Sequence, residues 1–397
     1  MALQTGVGQV IAYKKESALG TLPTNDSSAK QLRRVKFGLS LKKDMIRSNE
    51  IRKDYQRPAG RHAMRKVDGA IEGELSLGTY ADFIGSALRK TFAAVSSLSA
   101  LTNVTATVGA PQFVRATGSW ITDGLRVGMV VRMTGWTTTA TANNSKNFTI
   151  TALTATGMTV AEAVVAKTAG DSVVVAIPGK VTYAPLTGHL DDSYAFENWA
   201  PTAVQSLRFL GNKVGSIDIS MPPNDKVGIN IGFMGIDRAK STTQYFTSAS
   251  AAGTSQMQTG LSGAVYFGGV AVAVLTALTL QINGGLETAG VVGSNLSPDV
   301  FQGAIDVSGS FSVLWSGATF DDYFDLETEV PVIIKLLDST LAAADFMTLT
   351  LPFVKLAGGD QPDAEKAIVQ SFQFTARVGD GTSGYEATTL MVQDSLA

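Results

Sequence analysis

Apolar and polar positions alternate along most of this chain. Ser216-Ile217-Asp218-Ile219-Ser220, Gly228-Ile229-Asn230-Ile231-Gly232-Phe233, Met347-Thr348-Leu349-Thr350-Leu351 and Ser371-Phe372-Gln373-Phe374-Thr375-Ala376 each carry the two-residue period of a strand with one buried face. Clusters of Gly, Asn, Asp and Pro punctuate them as turns. Helical periodicity is confined to two places. Residues 80–92 set Phe83, Ile84, Leu88 and Phe92 on one side, with Thr79 as the expected N-cap. A second helix is expected from Thr319, with Phe320, Tyr323, Phe324 and Leu326 apolar. Asp82, Asp321 and Asp322 suit the first turns through the helix dipole. The most apolar run, 264–280, is broken by Gly268-Gly269, Thr276 and Thr279 and falls short of the roughly 20 residues of a membrane span. A buried strand pair is expected there.

The two helical stretches belong to a repeat. Ile71-Glu72-Gly73-Glu74-Leu75-Ser76-Leu77 precedes Thr79-Tyr80-Ala81-Asp82-Phe83-Ile84, and Val307-Ser308-Gly309-Ser310-Phe311-Ser312-Val313 precedes Thr319-Phe320-Asp321-Asp322-Tyr323-Phe324. Each copy is an alternating strand followed by Thr, aromatic, any residue, Asp, aromatic, apolar. One supersecondary unit has been used twice.

Residues 97–179 differ in character. They are rich in Thr, Ala and Val, poor in charge, and predict a self-contained β module of five or six strands. Without it about 320 residues remain, roughly 160 per unit, an ordinary domain size. The expected division is a first unit of 1–96 and 180–240, the inserted module 97–179, and a second unit of 241–397. Residues 1–30 are expected to form an extended arm and 42–66 a long charged loop, a kind that is usually functional or ordered by a partner.

Composition narrows the function. Of 397 residues only 17% are charged, 45% are apolar and none is cysteine, so disulfides, thiolate metal sites and thiol catalysis are excluded. The two histidines, His62 and His189, do not make a multi-histidine metal site. No basic segment followed by an apolar core opens the sequence, so no secretory leader is expected. Net charge is near neutral but unevenly spread. Arg47, Arg52, Lys53, Arg57, Arg61 and Arg65 lie in a basic segment, 30–66, while Asp321, Asp322, Asp325, Glu327 and Glu329 form the densest acidic cluster. Opposite charge within one molecule points to packing between copies. Only Phe37 and Tyr55 interleave the basic residues, a weak stacking platform for nucleic acid.

No phosphate loop, dinucleotide fingerprint, metalloprotease motif or nucleophile elbow is present. Asp191, Asp192 and Glu197 are the one acidic group placed to hold a cation or act as paired carboxylates, and a solvated loop before a strand explains them as well. Asn103-Val104-Thr105 and Asn147-Phe148-Thr149 match glycosylation sequons by chance in a chain without a leader. No enzymatic activity, cofactor or metal is expected.

The arrangement resembles the major tail tube proteins of long, non-contractile phage tails. The carriers are Leu39-Ser40-Leu41, Ser48-Asn49-Glu50-Ile51-Arg52, the strand-helix unit 72–88, Ser193-Tyr194-Ala195-Phe196-Glu197-Asn198-Trp199, Phe209-Leu210-Gly211-Asn212-Lys213-Val214-Gly215-Ser216, Gly232-Phe233-Met234-Gly235 and Leu351-Pro352-Phe353-Val354-Lys355. The resemblance implies a mainly β fold, with two tandem β-sandwich or half-barrel domains, each with one short helix, and the small all-β module inserted. It implies rings of six units stacked into a tube, with a lumen through which DNA passes without specific binding. Two units per chain then make a homotrimer ring of pseudo-sixfold symmetry. Tape measure, tail terminator and distal tail proteins are the implied partners, the virion tail the implied location, and no membrane is involved. Arg47, Arg52, Lys53, Arg57, Arg61 and Arg65 are expected at contacts between subunits or rings, with the module facing outward. The competing expectation is an extracellular adhesin or carbohydrate-binding protein, whose anchors would be exposed Trp120 and Trp136; core packing is the other explanation of those tryptophans.

Overall fold

The computed structural model describes residues 3–110, 112–360 and 367–397. The fold is mainly β and is built on the repeat. In the first half Ser40–Ile46, Arg61–Glu74, Gly228–Gly235, Gln205–Met221, Tyr194–Ala200 and Val10–Lys15 lie side by side, each antiparallel to the next. In the second half the order is Leu275–Asn283, Asp306–Leu314, Val369–Arg377, Phe346–Asp360, Val330–Leu337 and Gly263–Phe267, again antiparallel throughout. Arg61–Glu74 leads into helix α1 (Ala81–Ala87), and Asp306–Leu314 into helix α2 (Thr319–Asp325).

Alternation sets the faces. Ile217, Ile219, Ile229, Ile231 and Phe233 point to the helix side and are buried. Around α1, Phe83 meets Tyr13 at 4.7 Å and Phe233 at 5.3 Å between ring centroids, and Phe196 meets Phe233 at 5.0 Å. The second unit repeats the arrangement with Phe267 and Phe311 at 4.9 Å, Phe311 and Phe372 at 5.4 Å, and Phe320 of α2 at 5.3 Å from Phe267. The glycine shared by the two copies has a steric cause. A Cβ on Gly73 would lie 1.9 Å from the Tyr80 hydroxyl, and one on Gly309 would lie 2.2 Å from the Thr279 carbonyl oxygen.

Several expectations change. Residues 1–30 are not simply an arm, because Val10–Lys15 is a strand whose Ile11, Ala12 and Tyr13 are buried against Tyr194–Ala200. The charged stretch 42–66 is mostly a hairpin of Ser40–Ile46 on Arg61–Glu74, with the loop confined to 47–60. Lys and Arg on both faces, plus a register shift between Lys43 and Met45, hide its two-residue period. Helix α1 stops well before Phe92, since Arg89 turns left-handed at φ 57° and the Lys90 N–H bonds back to the Gly85 carbonyl. Its N-cap residue is Tyr80, with no side-chain cap, and Thr79 instead takes a hydrogen bond from the Ser76 hydroxyl. The 264–280 run forms Gly263–Phe267, Val270–Ala271 and the start of Leu275–Asn283.

The inserted stretch forms seven strands rather than five or six, all between Leu98 and Ala176. Its own core holds Trp120, Phe113, Phe148 and Met133, and extends onto Tyr266, Ile333 and Met391 outside it. Two further segments cross between the halves. Lys180–Tyr183 pairs with Met391–Asp394, which in turn pairs with Phe346–Asp360. Past Ser241 the chain stays on the first half, where Gln31 bonds to the Ser250 carbonyl and Gln258 to that of Leu75.

Candidate assembly surfaces

Within the chain the two units are joined by a strand pair. Ser216, Ile217, Asp218, Ile219, Ser220 and Met221 face Asn283, Ile282, Gln281, Leu280, Thr279 and Leu278 in turn. The apolar members, Ile217, Ile219, Leu280 and Ile282, are at most 2% exposed. The segment after Asn283 continues over the first unit. The Gly284 N–H bonds to the Gly215 carbonyl at 2.8 Å, and the Arg65 N–H to that of Asn295 at 2.9 Å. Lys213, buried to 2%, donates to Asp191 at 2.7 Å and to Asp299 at 2.9 Å. A buried ammonium needs such partners, and here they tie the two halves together.

Neither outer end of this joined sheet has an equivalent partner among the described residues. At one end Lys36–Phe37 and Ser40–Ile46 pair only with Arg61–Glu74. At the other, the 355–360 part of Phe346–Asp360 pairs only with Val369–Arg377. Bare sheet edges invite a further strand.

The sheet face away from the helices is polar. One row runs through Lys36, Glu72, Asn230, Asp218, Gln281, Ser308, Thr375 and Lys355 in direct strand-to-strand register. The lysines at its ends, Lys36 and Lys355, are paired to Glu72 and Glu327. Nearby Lys226 is paired to Glu74. A face with its cations neutralised offers a phosphate backbone little to hold.

The basic residues divide. Arg47, Lys53, Arg57 and Arg61 are exposed and make no ion pair among the described residues, while Arg52 is paired only locally, to Asp54 at 3.0 Å. Arg65 is half-buried and bound within the chain to Asp237 at 2.8 Å. The hairpin that carries them also exposes Met45, Ile46, Ile51 and Tyr55. Around α2 lie exposed Leu314, Trp315, Phe324 and Leu326, with Asp321 and Asp322 in its first turn.

The acidic trio at 191–197 does not converge. Asp191 holds Lys213, Asp192 holds Lys15 at 2.6 Å, and buried Glu197 accepts the Tyr245 and Phe246 N–H groups at 2.7 Å each. Trp120 and Trp136 are 0% and 2% exposed, so they serve the module's core and cannot anchor a glycan. Burial, with Asp82 beside it, drives the Tyr13 hydroxyl far above the usual phenol range, and burial pushes Tyr80 up to about 12. Burial likewise raises the carboxyls of Glu16 and Asp394.

Sequence reasoning missed the residues that fasten the module. Lys335, 5% exposed, donates to Thr149 at 2.9 Å and to Glu162 at 2.8 Å. Gln393 brackets the Val130 peptide, accepting its N–H at 2.8 Å and donating to its carbonyl at 3.0 Å. Lys335 had a signal, a lone cation inside the apolar strand Val330–Leu337; Gln393 had none.

A family model described as phage tail tube protein matches residues 6–376. No curated protein matches the chain. Among solved structures, one chain of the cryo-EM structure of the anti-feeding prophage (AFP) baseplate, 6-fold symmetrised, is similar over 34% of this chain and 93% of its own, at 12% identity. The TM-score of that match, 0.26, is too low to carry an argument.

Proposed function

Because the chain belongs to the phage tail tube protein family, we propose that copies of it close into rings, that the rings stack into the tail tube, and that the genome leaves through the lumen into the host. The chain is a structural component of the virion tail. The observation that carries the finer reading is the internal junction. Two equivalent units share one sheet through 216–221 and 278–283, and the counterparts of both strands lie bare at the two ends. A sheet that has already been extended once by its own repeat is built to be extended again, and closing the ring removes every edge.

We divide the chain into a first unit of 1–96 and 180–240, an outward-facing module of 97–179 and a second unit of 241–397, with the strand Lys180–Tyr183 and the segment after Ser241 lapping across the boundaries. Three chains then supply six units. The polar face lines the channel, where DNA slides without specific binding. Arg47, Arg52, Lys53, Arg57 and Arg61 reach a neighbouring subunit, whereas Arg65 stays with Asp237. Tape measure, terminator and distal tail proteins meet the ends of the stack. Negative-stain microscopy of the purified protein tests the reading: rings or tubes are expected, and a strictly monomeric protein at high concentration contradicts it.

A further inference from the structure

We propose that the next copy docks in a register the chain itself displays, with residues 33–38 of one copy laid antiparallel along 353–358 of its neighbour. This rests on the ring reading above and specifies the contact.

The register follows from the repeat. Ile71 and Val307 hold the same place in their units; Phe37 faces the first and Ile282 the second. Phe37 is therefore the counterpart of Ile282, Lys36 of Gln281 and Val35 of Leu280. On the receiving side, Ile217 faces Ile231, which faces Ile71, while Val354 faces Ala376, which faces Val307. Val354 is then the counterpart of Ile217, Lys355 of Asp218 and Leu356 of Ile219. Carried outward, the internal pairs predict Phe37 against Val354, Lys36 against Lys355, and Val35 against Leu356.

Burial supports the assignment independently. Leu280 is 1% exposed where the internal pair covers it, while its counterpart Val35 is 62% exposed. A β-branched apolar residue stands bare at the position that the other unit buries. The facing lysines already hold Glu72 and Glu327, so two cations and two anions alternate across the seam.

The absence of native cysteine makes the test direct. In the full chain, Lys36→Cys with Lys355→Cys places thiols at facing, exposed positions whose Cα atoms fall within disulfide reach. Asp218→Cys with Gln281→Cys reports the same geometry inside one chain. Oxidation should give covalently closed trimers from the first pair and a monomer-mass disulfide from the second. Lys36→Cys with Ala357→Cys, two residues out of register, should cross-link at least about tenfold less. If tubes form but Lys36/Lys355 stays unlinked while the internal pair closes, or if Lys36/Ala357 links equally well, the register is overturned and the ring reading survives. If the unmodified protein forms no ring at all, both fall.

Discussion

The first strand of the second unit and its counterpart in the first unit have met opposite fates. Leu275–Asn283 lies inside the sheet between Gln205–Met221 and Asp306–Leu314. The stretch 33–38 has Arg61–Glu74 on one side and no strand on the other among the described residues. The helices differ in the same sense. Phe83 and Ile84 of α1 are at most 1% exposed, while Phe324 of α2 is 41% exposed. One architecture written twice should be equally well covered twice, so the uncovered parts of one copy mark where another molecule belongs. Neither sequence nor fold distinguishes the two units as sharply as this difference in cover does.

That contrast yields graded expectations. Leu280→Ala opens a cavity at a joined seam and should cost the unassembled chain about 2–5 kcal/mol in denaturant unfolding. Val35→Ala at the matching bare position should change folding by less than about 0.5 kcal/mol, yet raise the concentration needed for assembly. Equal effects of the two on folding would erase the distinction between filled and open edges.

A second comparison is between this open end and the module. The module was expected to be removable, but it is fastened by Lys335, Gln393 and a core shared with Ile333 and Met391. Lys335→Ala strands Glu162 without its cation and should lower stability by about 1–3 kcal/mol, measured by thermal or denaturant unfolding. A neutral result would mean the module only rests on the second unit.

The C-terminal strand ends on Asp394, whose carboxylate accepts the Gly78 N–H at 2.8 Å and so ties the end of the second unit to the turn before α1. Burial raises its pKa. A carboxyl raised on folding contributes stability below its unfolded pKa, and that contribution is lost as pH rises through the folded pKa. Asp394→Asn should therefore start below the natural protein in melting temperature and close the gap as pH climbs from about 4 upward. A gap independent of pH would deny that the carboxyl is shifted.

The smallest effect on folding is expected at the hairpin tip. Arg47→Glu, Lys53→Glu and Arg57→Glu together should leave the melt of the unassembled chain unchanged and weaken assembly in a salt-dependent way. Tubes of unaltered length and salt response would leave those cations merely solvated.

Much of this was legible in the sequence. Strands such as Gly228–Gly235 and Val369–Arg377, the repeat and both helix starts follow from period and spacing, because one buried face imposes them. Val10–Lys15 escaped because three consecutive buried residues, Ile11 to Tyr13, break the alternation of a half-buried strand. The hairpin escaped because charges occupy both of its faces. Whether an edge is open depends on strand order across distant segments, so the contrast between Val35 and Leu280 is invisible until the sheet is assembled. Gln393 is equally silent, since its role is set by a peptide 263 residues away.

The central claim is that one chain supplies two of six equivalent places in a ring. The mass of a single isolated ring tests it most directly. Three chains per ring are predicted; six chains per ring would contradict the account, leaving the second unit without the place in the tube wall that its matching strand order gives it.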